Sequence, residues 1–378
     1  MTMRPRRPIG VYIHVPFCRQ RCHFCAFYLE AAKPERMEAF CSALAREIDF
    51  HDSRHVTGGR PLRSLYIGGG TPTTLPATQL VAFLKRAQEA WSMEDFAEIT
   101  VEAHPSTVTL KDLSILAEAG FNRLSMGAES MDQRDFIPIG RPGLVDETER
   151  AVKAARAAGF RNVNLDLMYG LPGQTLESWM DTLQATLALE PTHVSCYALT
   201  VEEGTRLARD IAKNLIPPPN EALQVEMESA AEAFLQAAGF ERYELSNYAL
   251  PGFACRHNKL YWTDGDYLGL GPSAQSYVNG VRFGNIDDLT AYVDCLSARR
   301  LPVAERTELT DGEQRRDALV FGLRLIEGVP LRVVRPGTPQ HRALTALVGR
   351  GFIEWKEDHV RLTRLGRRYA DSVAEQLY

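Results

Sequence analysis

The chain has no apolar run approaching the roughly 20 residues that a membrane-spanning helix needs, so no transmembrane segment is expected. It also lacks an excess of positive charge: 43 Lys and Arg stand against 48 Asp and Glu, a net charge of −5. That balance argues against a broad nucleic-acid-binding surface, and no nucleic-acid partner is expected. Cysteine is sparse, seven in 378 residues, and the odd count argues against a disulfide framework and for an intracellular, cytoplasmic metalloprotein. The basic start, Met-Thr-Met-Arg-Pro-Arg-Arg-Pro, is followed by no long apolar stretch and does not read as a signal peptide. Hydrophobic residues make up 45%, enough to fill one large α/β domain with a small one appended.

What cysteine there is falls in one place. Cys18, Cys22 and Cys25 form C-x3-C-x2-C within residues 12–27. Three thiolates that close together suit a soft metal centre. No fourth cysteine follows, because position 27 is Phe. Two readings are open from spacing: a zinc knuckle completed by His14 or His23, and a [4Fe–4S] cluster with one open iron. Cys41, Cys196, Cys255 and Cys295 read as buried thiols.

The first two-thirds of the chain alternates strand and helix. β-rich runs at 11–15, 64–68, 99–103, 123–127, 162–169 and 193–199 are separated by amphipathic stretches near 35–50, 77–91, 109–119, 144–158, 176–189 and 221–238. Such alternation predicts parallel βαβ units. Six units are too few for a closed eight-unit barrel, so a partial (β/α)6 barrel is expected, with a doubly wound sheet as the other compatible pattern. In both, functional groups collect at the carboxyl ends of the strands. The cysteines, the Gly68-Gly69-Gly70-Thr71-Pro72 loop, Glu102, Glu129, Asp166 and Ala198 all fall there. A proline-rich break near 215–221 precedes a mixed region. From about 305, helices at 311–325 and 338–350, a strand–turn–strand at 351–363 and a last helix at 363–377 predict a small winged-helix-like domain. The expected division is 1–220, 221–304 and 305–378.

The stretch Tyr-Ile-His-Val-Pro-Phe-Cys-Arg-Gln-Arg-Cys-His-Phe-Cys resembles the cluster motif of radical S-adenosylmethionine (SAM) enzymes. More narrowly it is similar to the branch of oxygen-independent coproporphyrinogen III oxidases and their HemW-type haem-chaperone relatives. The resemblance covers nearly the whole chain from Gly10 onward. It implies a [4Fe–4S] cluster on Cys18, Cys22 and Cys25. It also implies SAM held by Tyr12, Phe24, Gly69, Gly70, Thr71, Glu102, Glu129, Arg141, Asp166 and Ala198, and reductive cleavage of SAM to methionine and a 5′-deoxyadenosyl radical. The protein would orient the cofactor and exclude water.

Three features separate the chaperones from the oxidases. The oxidase motif continues to a further cysteine where this chain has Phe27. The oxidases carry an N-terminal extension, for which a motif starting at residue 18 leaves no room. Residues 257–262, His-Asn-Lys-Leu-Tyr-Trp, match the H-N-x-x-Y-W segment that the resemblance links to haem. On this reading His257 ligates haem iron, Asn258 orients its ring, and Tyr261 and Trp262 flank the porphyrin. Cys255 is an alternative second ligand. The expected function is haem delivery to apo-haemoproteins of the respiratory chain, with cluster and SAM supporting assembly, transfer or a homodimer, and with membrane contact only through a partner. Porphyrinogen oxidation, haem ring opening and a winged-helix regulator are the other readings. Three positions depart from the pattern: Glu129 stands where relatives carry Gln, the Arg141-Pro142-Gly143 segment lacks a His, and Gln275 stands where chaperones often carry His.

Overall fold

The computed structural model describes residues 9–53, 55–263 and 265–378. The basic start, on which the signal-peptide reading falls, lies outside the described residues. Six strands lie side by side and parallel: β1 (Ile9–Val15), β2 (Leu62–Gly69), β3 (Met93–Ala103), β4 (Arg123–Glu129), β5 (Asn162–Tyr169) and β6 (His193–Ala198). Their spatial order follows the sequence, with none of the reversal that a doubly wound sheet requires. Most residues of β1, β2 and β4 are buried, as expected of parallel strands covered on both faces.

Helices α1 (Pro34–Ser53), α2 (Ala77–Ala90), α3 (Leu110–Ala119), α4 (Val145–Ala157), α5 (Leu176–Ala188) and α6 (Glu221–Ala237) alternate with the strands along the chain. Local chemistry sets their ends. Thr109 and Thr175 each cap the helix that follows through reciprocal side-chain and backbone hydrogen bonds. Gly120 stops α3 in the left-handed conformation at φ 109°. One continuous core joins sheet and helices, including Ile13, Leu44, Leu84, Leu116, Leu165 and Trp179.

The sheet stays open. Beyond β1 it continues through parallel Asp266–Leu270 and an antiparallel ladder of Gln275–Val278, Val281–Asn285 and Val303–Glu308. Beyond β6 it continues through short antiparallel strands at Asn247–Ala249 and Glu241–Arg242. A partial barrel is therefore the architecture, as expected. The ladder is latched to α1 by buried Glu47, which accepts hydrogen bonds from Tyr292 (2.6 Å), Asn285 (2.6 Å) and the Gly271 N–H (2.8 Å).

A second core holds the C-terminal region, where Leu319, Leu344, Ile353, Val360 and Val373 pack together. It comprises helices Asp311–Gly322, Pro339–Gly349 and Ala370–Leu377 around a three-stranded sheet. The last helix is not the continuous 363–377 expected. Tyr369, at φ −116° and ψ 30°, breaks it into Arg364–Arg368 and Ala370–Leu377. Arg367 pairs with Glu232 of α6 at 3.0 Å, tying this region to the barrel. Two of the four remaining cysteines also depart from expectation. Cys196 and Cys255 are buried, whereas Cys41 and Cys295 are only half-buried on helix surfaces.

Candidate metal and cofactor site

The loop after β1 carries all three cysteines to the carboxyl-end rim of the barrel. Phe17–Cys18 pairs with Glu30–Ala31, which pins both ends of the loop. Cys18, Cys22 and Cys25 line one wall of a cavity of about 460 Å³ that opens at the rim. Cys18 Sγ lies 3.3 Å from Thr71 Oγ1 of the glycine loop. Burial pushes all three thiols up, Cys22 to about 12. Binding a cationic centre there would release protons, as thiolate ligation does generally. The sulfurs share this wall without being drawn to metal-ligand spacing among the described residues. The histidines weighed for a zinc knuckle are placed otherwise. The His14 ring is buried between the Tyr12 hydroxyl (3.3 Å) and the Tyr28 carbonyl (3.3 Å). The His23 ring packs on Gly140, where a Cβ would sit 2.3 Å from it. A three-cysteine donor set beside an open cavity is what remains, and it fits a cluster with one free iron.

The glycine loop needs its glycines. Gly69 has φ 111°, and a Cβ on Gly70 would lie 2.6 Å from the Phe17 carbonyl oxygen. The Gly69 N–H donates to Glu102 Oε2 (3.0 Å), and the Tyr66 hydroxyl donates to Oε1 (2.6 Å). Burial still raises the Glu102 carboxyl to about 7. Asp166, also raised by burial, accepts from Asn164 (2.9 Å) and Ser125 (3.4 Å). Glu129 sits at φ 62° where the β4–β5 register shifts, and its carboxylate pairs with Arg141 Nη1 at 3.3 Å. Arg141 also donates to the Gly127 carbonyl. The unusual acid at 129 is thus paired, and the guanidinium it meets is partly spoken for.

Of the expected SAM residues, Phe24, Gly69, Gly70, Thr71, Glu102, Glu129, Arg141 and Asp166 line the cavity. Tyr12 and Ala198 are not among the lining residues. Tyr12 stands behind Tyr66, ring centres 6.0 Å apart, and Ala198 packs against the main core. Pro142 lines the wall, and His104 supplies an imidazole beside it: its Cε1 lies 3.1 Å from where a Gly143 Cβ would stand. Arg123, Tyr66, Asn164, Ser195 and Tyr197 also line the cavity and were missed. Arg123 had a legible signal, a lone charge opening an apolar strand run. Its Nε and Nη1 are buried without a hydrogen-bond partner. Gln275 lies away from the cavity, exposed on the outer ladder.

The H-N-x-x-Y-W segment lies at the other end of the barrel. It forms a short helix, Arg256–Trp262, that plugs the floor. Glu98 of β3 holds its start, accepting from the Cys255 thiol (3.2 Å), the Arg256 N–H (3.0 Å) and the His257 N–H (3.1 Å). His257 is 1% exposed. Its Nδ1 meets Ser64 Oγ at 2.8 Å and its Nε2 meets the Tyr261 hydroxyl at 2.8 Å. Burial and the nearby Arg123 charge lower it to about 3, so the ring is neutral. Ser64 and Tyr261, not Asn258, orient it; Asn258 faces the cysteine cavity. Tyr261 bonds the histidine, and Trp262 stacks under Arg324 at 4.7 Å. Cys255 is sealed against Glu98 and does not present a second ligand.

A radical SAM superfamily model matches residues 12–186, and an open parallel barrel with a three-cysteine loop at its rim defines a radical SAM protein. That superfamily implies a [4Fe–4S] cluster and SAM. The haem chaperone HemW of Mycobacterium tuberculosis (strain H37Rv) is 32% identical over 99% of this chain and 95% of its own length. HemW of Bacillus subtilis (strain 168) is 32% identical over 96% and 97%. HemW of Escherichia coli (strain K12) is 36% identical over 72% and 70%. The chain belongs to the HemW family. Among solved structures, the coproporphyrinogen III oxidase HemN of Escherichia coli superimposes with a TM-score of 0.85 at 24% identity, covering 100% of this chain and 91% of that one. That likeness speaks to fold.

Proposed function

We propose that this protein is a haem chaperone that binds haem and transfers it to apo-haemoproteins of the respiratory chain. The observation that carries the reading is full-length kinship to HemW chaperones together with the His257–Trp262 floor segment. Cys18, Cys22 and Cys25 would hold the cluster. Glu102, Asp166, Arg141 and the Gly69–Thr71 backbone would cradle SAM, Phe24 would flank it, and Tyr12 and Ala198 would back the pocket. Bound together, cluster and SAM supply one-electron chemistry; the chain's own residues orient the cofactor and keep water from it. The Glu129–Arg141 pair leaves the site less able to hold a carboxylate, which supports a role for SAM in assembly or transfer more than in turnover.

Haem would be ligated by neutral His257. No helix among the described residues is long and apolar enough to cross a membrane, so membrane contact would come through a partner. Porphyrinogen oxidation is the alternative that the HemN-like fold favours. Mixing haem-loaded protein anaerobically with an apo respiratory haemoprotein tests the proposal. Restored acceptor activity, faster than with free haem, is expected. No faster reconstitution, with protoporphyrinogen formed from coproporphyrinogen III instead, would hand the chain to the oxidases.

A further inference from the structure

A run of aromatic rings crosses the barrel interior. Tyr66, on β2, lines the cysteine cavity. Its ring centre lies 5.1 Å from that of His257, and His257 lies 5.2 Å from Tyr261. Tyr261 in turn meets Tyr267 at 4.7 Å and Trp262 at 6.1 Å, and Tyr267 meets its cross-strand partner Tyr277 at 6.4 Å. Tyr261, Trp262, Tyr267 and Tyr277 line a second cavity, of about 200 Å³, where helix Asp311–Gly322 meets the floor helix. Rings in contact, with no aliphatic gap, therefore join the cysteine cavity to this junction cavity. Two of the phenols also have a proton partner. The Tyr66 hydroxyl donates to Glu102 Oε1 at 2.6 Å. The Tyr261 hydroxyl meets His257 Nε2 at 2.8 Å and makes no other hydrogen bond among the described residues. It is therefore the donor, and the proton of the neutral His257 ring sits on Nδ1, facing Ser64.

We propose that this ladder is a one-electron relay that drains radicals formed in the cysteine cavity toward the junction cavity. The inference rests on the one-electron chemistry of the radical SAM superfamily, not on haem delivery. Each hop between tyrosines moves a proton as well as an electron, and both phenols hold a proton partner within reach. The oxidant is a carbon- or oxygen-centred radical, short of one electron and one proton. Tyr66 supplies both: its phenol O–H bond breaks, the radical gains a bond to hydrogen, and a neutral phenoxyl is left. Tyr261 then gives one electron to Tyr66 across the His257 ring. The Tyr261 proton passes to His257 Nε2. Glu102, whose carboxyl burial raises to about 7, returns a proton to Tyr66. Burial and Arg123 hold His257 neutral, so it keeps the borrowed proton only while Tyr261 is oxidised. Electrons from Trp262, or from Tyr267 and Tyr277, carry the hole on to the junction cavity. A small thiol refills it there, losing one electron and releasing its proton to water, from which Glu102 is recharged. Two thiyl radicals then couple to a disulfide.

The test is freeze-quench electron paramagnetic resonance on full-length, cluster-loaded protein carrying ring-deuterated tyrosine, reduced with dithionite and desalted. One arm adds SAM, a source of a carbon-centred radical. The other adds hydrogen peroxide without SAM, a source of an oxygen-centred one. A tyrosyl signal narrowed by the deuterium is expected in at least one arm, and its presence in one arm only names the radical's source. Tyr66→Phe should lose the signal. Tyr261→Phe should keep it, stranded on Tyr66, with decay under added glutathione slowed about tenfold. Both substitutions keep the rings, and circular dichroism and cluster absorbance check fold and cofactor in each variant. A signal that Tyr66→Phe leaves at wild-type size overturns the relay, as does a Tyr261→Phe signal that decays at the wild-type rate. So does the absence of a tyrosyl signal in both arms while peroxide bleaches the cluster. A wild-type protein that takes up no cluster overturns the cofactor assignment, and this inference with it, whereas failure to deliver haem leaves the relay standing.

Discussion

The two ends of the barrel are built in opposite ways. At the rim, three thiols, three acids and two arginines line an open cavity of about 460 Å³. At the floor, Glu98 takes three donors of the plug and both His257 nitrogens are engaged, while the Trp262 Nε1 is buried without a hydrogen-bond partner. The two meet inside the barrel, where Asn258 of the plug lines the cavity and Tyr66 reaches Glu102 (2.6 Å) on one side and the His257 ring (centres 5.1 Å apart) on the other. A site built to receive a cofactor leaves polar groups short of partners, whereas a closed one must open before it binds anything. The rim is poised for its ligand, and the floor is latched.

The largest effect that would sharpen this contrast is at the rim. Replacing Cys18, Cys22 or Cys25 with alanine should abolish iron–sulfur absorbance after reconstitution and leave thermal stability of the cluster-free protein unchanged. A matching change at the floor should act on stability instead. Glu98→Ala strips the acceptor from three donors, two of them buried, and urea unfolding should report a loss of about 3 kcal/mol. A loss under 1 kcal/mol would mean that the plug is not tightly held.

A comparable term depends on pH at the Glu47 latch. Burial raises this carboxyl to about 7, above its value in the unfolded chain. The folded state therefore binds the extra proton between about pH 4.5 and 7, and stability falls as pH rises through that window. The drop should be roughly 3 kcal/mol at most. Urea midpoints across that range should decline in the wild type and flatten in Glu47→Gln.

Smaller again is the rim pair. Glu129→Gln frees Arg141 and should tighten SAM binding by about tenfold, read by calorimetry on cluster-loaded protein. Weaker binding in that variant would show that the pair builds the pocket and does not compete with the ligand. The smallest effect belongs to neither end. The exposed Arg86–Asp49 pair between α2 and α1 should cost under 1 kcal/mol when Arg86 becomes alanine.

The rim was legible in the sequence because its chemistry is local. The cysteines sit within eight residues, and period-two and helical patterns put Gly69, Glu102, Glu129 and Asp166 at strand ends. The partial barrel followed from the same alternation. What escaped depends on packing between distant segments. Arg123, Asn164 and Ser195 reach the cavity from below the rim, on strand positions that periodicity reads as core. His257 was read from its motif, and no pattern in the sequence says that Ser64, almost two hundred residues earlier, and Tyr261 occupy both its nitrogens. Tyr369 breaks the last helix at a residue with no breaker chemistry.

The most direct test of the two-ended account is anaerobic haem titration of the Cys18→Ala/Cys22→Ala/Cys25→Ala protein beside His257→Ala. Separate sites predict that the cysteine variant, without a cluster, still gives a saturable Soret shift of wild-type form. His257→Ala should keep its cluster absorbance and lose that shift. A cysteine variant that no longer binds haem, beside a His257→Ala protein that binds it as the wild type does, would place haem at the rim and contradict the account.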